Sequence, residues 1–169
     1  MVSIEGPRRS VALYNTPLET GIRAVVVLNA SYPMSFDLGQ LTWFDHLIVH
    51  TADIGGPSSL HPDLPSRSGE LLVRRRIVER GVDLMRRLYL VDRTAGTNGI
   101  YYRATEEAYP FVELMKTRYA EQLKERAVWL AANVCALPGD ELNRLIVEKI
   151  GRWRVEFNAL EIPMGSEFE

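Results

Sequence analysis

The sequence predicts a mainly α-helical domain with one small β-hairpin: a winged-helix-like core followed by C-terminal helices. Three observations predict it. The run from Gly69, GELLVRRRIVERGVDLMRRLYL, repeats apolar residues at helical spacing and reads as one long amphipathic helix. β-Branched and aromatic residues then cluster in Tyr89–Arg93 and Ile100–Ala104, which read as two strands. A shorter helix, Leu38–Thr51, precedes the long one. Between the strands, Thr94-Ala95-Gly96-Thr97-Asn98-Gly99 can turn, because Gly96, Asn98 and Gly99 tolerate positive φ. Helix, longer helix and hairpin in this order outline a winged helix. Such modules bind DNA or proteins, so the outline leaves the function open.

The first helix is marked by Thr16-Pro17-Leu18-Glu19. Thr16 caps, Pro17 suits the first helical position, and Glu19 completes a capping box. Leu18, Ile22, Val25, Val26 and Asn29 then recur at helical spacing, which predicts one buried face ending near Tyr32-Pro33. Asp37 caps the second helix, whose core face is Leu38, Leu41, Phe44, Leu47 and Ile48. The segment ADIGGPSSLHPDLPSR, Ala52 to Arg67, reads as a loop stiffened by Pro57, Pro62 and Pro65. Loops of that length are often functional or packed on their own side chains. Ser68 is a cap for the long helix. Past the hairpin, Thr105 caps a further start, and Pro110 makes a kink or break. Thr117 restarts a helix with Tyr119, Leu123, Val128, Leu130 and Val134 as apolar positions. Leu137-Pro138-Gly139-Asp140 is a turn into the last helix. There Leu142, Ile146, Ile150, Trp153, Phe157 and Leu160 fall at steps of three and four, a continuous seam. The expected organisation is an arm over residues 1–14, the winged-helix-like domain over 15–136, a C-terminal helix over 137–163, and a cloning-site remnant over 164–169.

Composition narrows the function. With 169 residues and 46% hydrophobic content the chain can bury a real core. The formal net charge of −2 argues against a general affinity for nucleic acid. A single cysteine, Cys135, excludes an internal disulfide and a multi-cysteine zinc site, and suits the cytoplasm. No apolar run is long enough to span a membrane, and Arg8-Arg9 is not followed by a signal-peptide core.

Candidate chemistry is sparse. His46 and His50 lie one helical turn apart, with His61 in the stiff loop and Asp45, Asp53 and Asp63 nearby. Such a pair can share a metal, but no Glu follows the first histidine of His46-Leu47-Ile48-Val49-His50. The other reading is structural: His50, Asp53 and His61 fasten the loop to the second helix. Of the arginines on the long helix, Arg76, Arg80 and Arg87 share a stripe interrupted by Asp83. That stripe could face phosphates or a protein partner. The terminal seam serves either as core or, through Trp153 and Phe157, as an interface anchor. Cys135 sits on an apolar face, no nucleophile elbow surrounds Ser58, Ser59 or Ser66, and no P-loop is present. No catalytic set, cofactor site or metal site is expected.

The runs LYNTPLETGIRAVVVLNASYP, FDHLIVHTADIGGPSSLHPDLPSRSGELLVRRRIVERGVDLM and IYYRATEEAYPFV resemble the middle-component family, second type, of bacterial ABC three-component conflict systems. Similar small subunits occur in Lamassu-like anti-phage defence. The resemblance covers Leu13 to Val134, and its most specific block is Gly55-Gly56-Pro57 and Ser59-Leu60-His61-Pro62 with the Arg67-Ser68-Gly69-Glu70-Leu71 that follows. It implies a non-enzymatic adaptor linking an SMC- or Rad50-like ABC ATPase to an effector such as a nuclease, with at most weak or indirect DNA contact. Partner-contact residues would be Arg76, Arg80, Arg87 and His61 on one surface, and Ile146, Ile150, Trp153 and Phe157 on another. The alternative is a winged-helix transcription regulator.

Overall fold

The computed structural model describes residues 16–62 and 67–160; over 67–72 and 150–160 it describes the helical backbone only. The arm and the C-terminal tail lie outside the described residues. The chain is mainly helical, with one antiparallel hairpin. Among the described residues six α-helices carry it: α1 Pro17–Ala30, α2 Leu38–Val49, α3 Arg67–Arg87, α4 Ala108–Glu113, α5 Arg118–Leu130 and α6 Gly139–Leu160. The hairpin, β1 Val91–Gly96 and β2 Gly99–Ala104, sits between α3 and α4.

α1 is the central element, packed against α2, α3, α4 and α5. Its capping box forms as the sequence predicts: the Glu19 N–H donates to Thr16 Oγ1, and the Thr16 N–H donates to Glu19 Oε2. The expectation of a single buried face is corrected. Ala24 to Leu28 is buried in five consecutive positions, as is required of a helix surrounded by others. Leu18, expected in the core, is 52% exposed. The α1–α3 crossing is close because two glycines meet there. A Cβ on Gly21 would lie 2.6 Å from the Gly81 carbonyl oxygen, and one on Gly81 would lie 2.6 Å from both the Gly21 nitrogen and the Pro17 carbonyl oxygen.

α2 has the predicted cap, with Asp37 accepting from the Gln40 N–H. It ends at Val49, and a tight 3-10 turn, Thr51–Ile54, follows where irregular loop was expected. Trp43, Phe44, Leu41, Leu47 and Ile48 fill the core together with Leu28, Met85, Leu123 and Leu130.

The hairpin differs from the sequence reading at both ends. Tyr89 is not in a strand; it takes a left-handed conformation, φ 59°, and terminates α3. β1 runs on to Gly96, which pairs with Gly99, so the loop is only Thr97-Asn98. Gly99 alone of the three predicted turn residues has positive φ, 136°. Neither Thr97 nor Asn98 has positive φ, so the two-residue turn is not of the mirror-image kind and Gly99 supplies the unusual backbone conformation after it. Thr105 does not cap a helix: its hydroxyl donates to the Tyr89 carbonyl at 2.7 Å. Pro110 breaks nothing either, because it lies in the first turn of α4, where its missing N–H costs no helical bond. On α5 the Thr117 cap forms, while Tyr119 and Val128 are exposed rather than core. Leu142 is buried, and Leu145 and Ile146 pack against the same core, so the first half of α6 belongs to it.

Gly81→Ala, and separately Gly21→Ala, should destabilise the fold by about 1–3 kcal/mol or more, since the obstructing atoms are backbone. Urea unfolding measures this; an unchanged midpoint would mean the helices do not cross so closely.

Candidate functional site

Two polar regions contain the residues singled out in the sequence: a buried cluster around α2, and the outer surface of α3 with the hairpin.

The buried cluster centres on Asp45. Arg23 of α1 donates from Nε to Asp45 Oδ1 at 2.7 Å and from Nη2 to Asp45 Oδ2 at 3.2 Å. Arg74 of α3 donates from Nη1 to the same Oδ2. All three side chains are buried. Burial by itself would lower the pKa of Arg23, but the Asp45 charge and hydrogen bond outweigh it and the net direction is upward. Arg74 is thus not part of the exposed arginine stripe. Spacing could have assigned it inward, because it shares a face with Val78, Gly81 and Met85. Arg23 gave no signal, sitting as one cation within an apolar run.

The histidines join this cluster as a stack of rings. His46 and His50 lie with centroids 4.4 Å apart and planes at 28°. Trp43 extends the stack on one side, 6.3 Å from His46. His61 meets His50 edge-on, 6.3 Å away, and stacks on Tyr119 of α5 at 6.1 Å. His61 Nε2 and the Tyr119 hydroxyl are 2.9 Å apart, within hydrogen-bond reach. His46 Nε2 lies 3.7 Å from Asp53 Oδ2. Face-to-face rings do not aim their nitrogens at one point. Among the described residues no group of three His, Cys, Asp or Glu is placed to hold a metal. His61 is pushed down to about 4 from the ordinary 6.5, first by burial and then by the charges of Arg23, His50 and Arg74, with Asp45 opposing.

The loop after α2 is folded inward. Arg126 of α5 donates from Nε and Nη2 to the Ser58 carbonyl at 3.0 and 2.8 Å. Thr51 Oγ1 donates to the Pro57 carbonyl at 2.7 Å, and the Leu60 and His61 N–H groups both reach the Val49 carbonyl. Gly56 lies flat against the Trp129 indole: a Cβ there would come within 2.7 Å of the ring. The unusual block Gly55–His61 is therefore built to lock α2 onto α5. Cys135 is buried and its thiol is pushed up to about 12 by burial, so it stays protonated near neutral pH.

The outer surface is different. Arg76, Arg80 and Arg87 are exposed, as are Val73, Leu88 and Tyr89, the last at 79%. Arg87 and Arg86 are tied to Asp83, at 2.7 and 2.8 Å. These bonds, that from Arg86 first, hold the Asp83 carboxyl below its ordinary range. A cleft of about 770 Å³ separates α3 from the hairpin, with Arg75, Arg80, Arg86 and Arg93 on its walls beside Asp37 and Glu79. Tyr89 bears the local strain. Holding a non-glycine residue in the left-handed region costs about 1–2 kcal/mol, yet the ring is displayed to solvent. Of the residues expected on the terminal seam, Ile146 packs on the core. The side chains of Ile150, Trp153 and Phe157 lie outside the described residues.

The model of one family, the ABC-three component (ABC-3C) system Middle Component 2, matches residues 13–156. Neither the curated proteins nor the solved structures yielded a match.

Asp45→Asn should destabilise the protein by about 3–5 kcal/mol, because two buried guanidiniums lose their carboxylate. Thermal unfolding tests this; a loss below about 1 kcal/mol would contradict it. His61 sets a pH dependence. Its folded pKa lies below the unfolded value, so its contribution is complete above pH 6.5 and is lost as pH falls toward 4. His61→Gln should therefore flatten the decline of Tm over that window. Parallel Tm profiles for both proteins would refute the assignment.

Proposed function

The chain belongs to the Middle Component 2 family of ABC three-component systems, and from that premise we propose that it is a non-enzymatic adaptor. It links an SMC- or Rad50-like ABC ATPase to an effector such as a nuclease, in a Lamassu-like anti-phage or anti-plasmid defence complex in the bacterial cytoplasm. No helix among the described residues is long and apolar enough to cross a membrane.

The observation that carries this reading is the division between the two polar regions. The side chains with chemical potential, namely Asp45, His46, His50, Arg23, Arg74, Arg126 and Cys135, are buried in packing and hydrogen bonding. What reaches solvent on α3 and the hairpin is largely arginine, Tyr89 and aliphatic surface, interspersed with Glu79 and Asp92. Tyrosine and arginine are the residues that dominate binding energy at protein interfaces. One partner contact is assigned to α3 and the hairpin, through Arg76, Arg80 and Arg87. The second is assigned to the distal half of α6, with Ile150, Trp153 and Phe157. His61, half-buried and paired with the exposed Tyr119 of α5, acts by fixing the scaffold rather than as a contact of its own.

A second reading, a winged-helix transcription regulator, draws support from the element order and from the exposure of Arg76 and Arg80. It requires tight, sequence-selective duplex binding by the isolated chain with a steep salt dependence.

Co-expressed with the other two proteins of its system, the chain should purify as part of a complex. The double variant R76E/R80E should weaken assembly about tenfold, more at low ionic strength. Recovery of the wild-type chain only as a free monomer would count against the adaptor. Unchanged assembly of the variant would remove α3 from the contact.

A further inference from the structure

Phe36, between α1 and α2, forms an isolated antiparallel bridge to Tyr102 of β2. The Phe36 N–H donates to the Tyr102 carbonyl at 2.9 Å, and the Tyr102 N–H donates back at 2.8 Å. Both backbone polar groups of Tyr102 therefore point away from β1. Tyr102 is the register partner of Arg93. Hydrogen-bonded and non-hydrogen-bonded pairs alternate along an antiparallel ladder. Arg93 consequently turns its N–H and carbonyl outward, to the far edge of β1. The same alternation turns Ala95 outward and Asp92 and Thr94 inward. The bond from the Thr105 N–H to the Leu90 carbonyl, 3.0 Å, continues the inward set and agrees with this phase.

The sheet has two strands, and among the described residues no further strand covers the outer edge of β1. Asp92 through Ile100 are exposed. A concavity of about 620 Å³ lies along the root of β1, with Arg86, Arg87, Arg93 and Tyr89 on its walls and Asp92 as its one acidic residue. The side chain of Arg93 falls on the same face as buried Val91, toward the arginines of α3.

The geometry points to β1 as an edge that accepts an extended, acidic segment of a partner protein as a third strand. This rests on the adaptor reading and names how one of its two contacts is made. Outward amides and carbonyls at Arg93 and Ala95 supply the ladder, as in other strand additions. Arg93, with Arg86 and Arg87 behind it sharing the one carboxylate of Asp83, leaves this end of the edge net positive and favours an acidic side chain opposite, and Tyr89 is displayed beside it as an aromatic anchor. A second copy of this chain fits less well: a symmetric antiparallel pairing centred on Arg93 would set Arg93 against Arg93, and like charges directly opposite repel. Nucleic acid would engage the arginines but offers no peptide ladder to the edge amides.

Residue-resolved amide hydrogen exchange tests this on the full chain, alone and assembled with the other two proteins of its system. The Arg93 and Ala95 amides should slow at least tenfold on assembly. Asp92 and Thr94, already paired to β2, should change less. Ala95→Pro removes one outward donor without touching the β1–β2 ladder, and should weaken association roughly 3- to 10-fold. Arg93→Glu, which keeps the backbone donor, should weaken it at least as much. Should the proline variant fail to fold, the wild-type exchange result and Arg93→Glu decide the matter. A complex that forms with unchanged Arg93 and Ala95 exchange overturns strand addition and leaves the adaptor intact. No complex at all overturns both. Protection that grows with the concentration of the isolated chain assigns the edge to self-pairing and overturns the proposal. Loss of affinity in Arg93→Glu without amide protection, with competition by duplex DNA, assigns the arginines to phosphates and likewise overturns it.

Discussion

Asp45 holds three helices in one place. Its two carboxylate oxygens receive Arg23 from α1 and Arg74 from α3, while its own backbone belongs to α2. Salt bridges on a surface contribute little, but here every partner is buried, and loss of any one would strand charge in the core. The interaction therefore acts less as a source of net stability than as a constraint on which helix faces which. A hydrophobic core alone could slide; a bidentate arginine on a carboxylate has a fixed geometry. The Gly21–Gly81 contact works with it. The glycines allow α1 and α3 to approach, and the ionic cluster sets their register.

The rest of the architecture follows from that arrangement. With α1, α2 and α3 fixed, Phe36 is carried to the hairpin, where its bridge to Tyr102 orients β2 and through it β1. The histidine stack and Arg126 attach the following loop to α5, closing the opposite side. The inner face of α3 is consumed by packing and by Arg74, while its outer face and the hairpin remain displayed. That division, with buried polar clusters and a displayed outer surface, is the one the proposed adaptor role requires. Burial raises the Cys135 thiol and lowers the His61 imidazole, so both are uncharged near neutral pH.

The sequence carried much of this in plain form. Capping residues Thr16, Asp37 and Thr117 each had a local hydrogen-bond partner three residues on, so their helices were legible without tertiary information. The long helix was legible from its apolar spacing and the hairpin from its β-branched and aromatic clusters, but Ser68 lies inside α3 rather than capping it, and the turn is two residues rather than six. What escaped was set by contacts distant in sequence. Arg23 looks like an interruption of an apolar run until Asp45, 22 residues on, is seen to meet it. Tyr89 has strand propensity, yet the chain leaves α3 there through a left-handed residue, and Leu90 and Val91 directly after it are buried in the core. Gly55-Gly56-Pro57 was conspicuous, but its purpose depended on Trp129, which nothing local reveals. Histidines at i and i+4 suggested shared ligands; in three dimensions their rings stack.

If this chain contributes connection rather than chemistry, as we propose, leaving it out of a reconstituted system reveals it. Purified ATPase and effector of the same system would be combined with DNA, with and without this chain, and effector activity measured. The adaptor account predicts DNA-triggered effector activity only when the chain is present, and none from the chain alone. Full triggered activity in its absence would contradict the account.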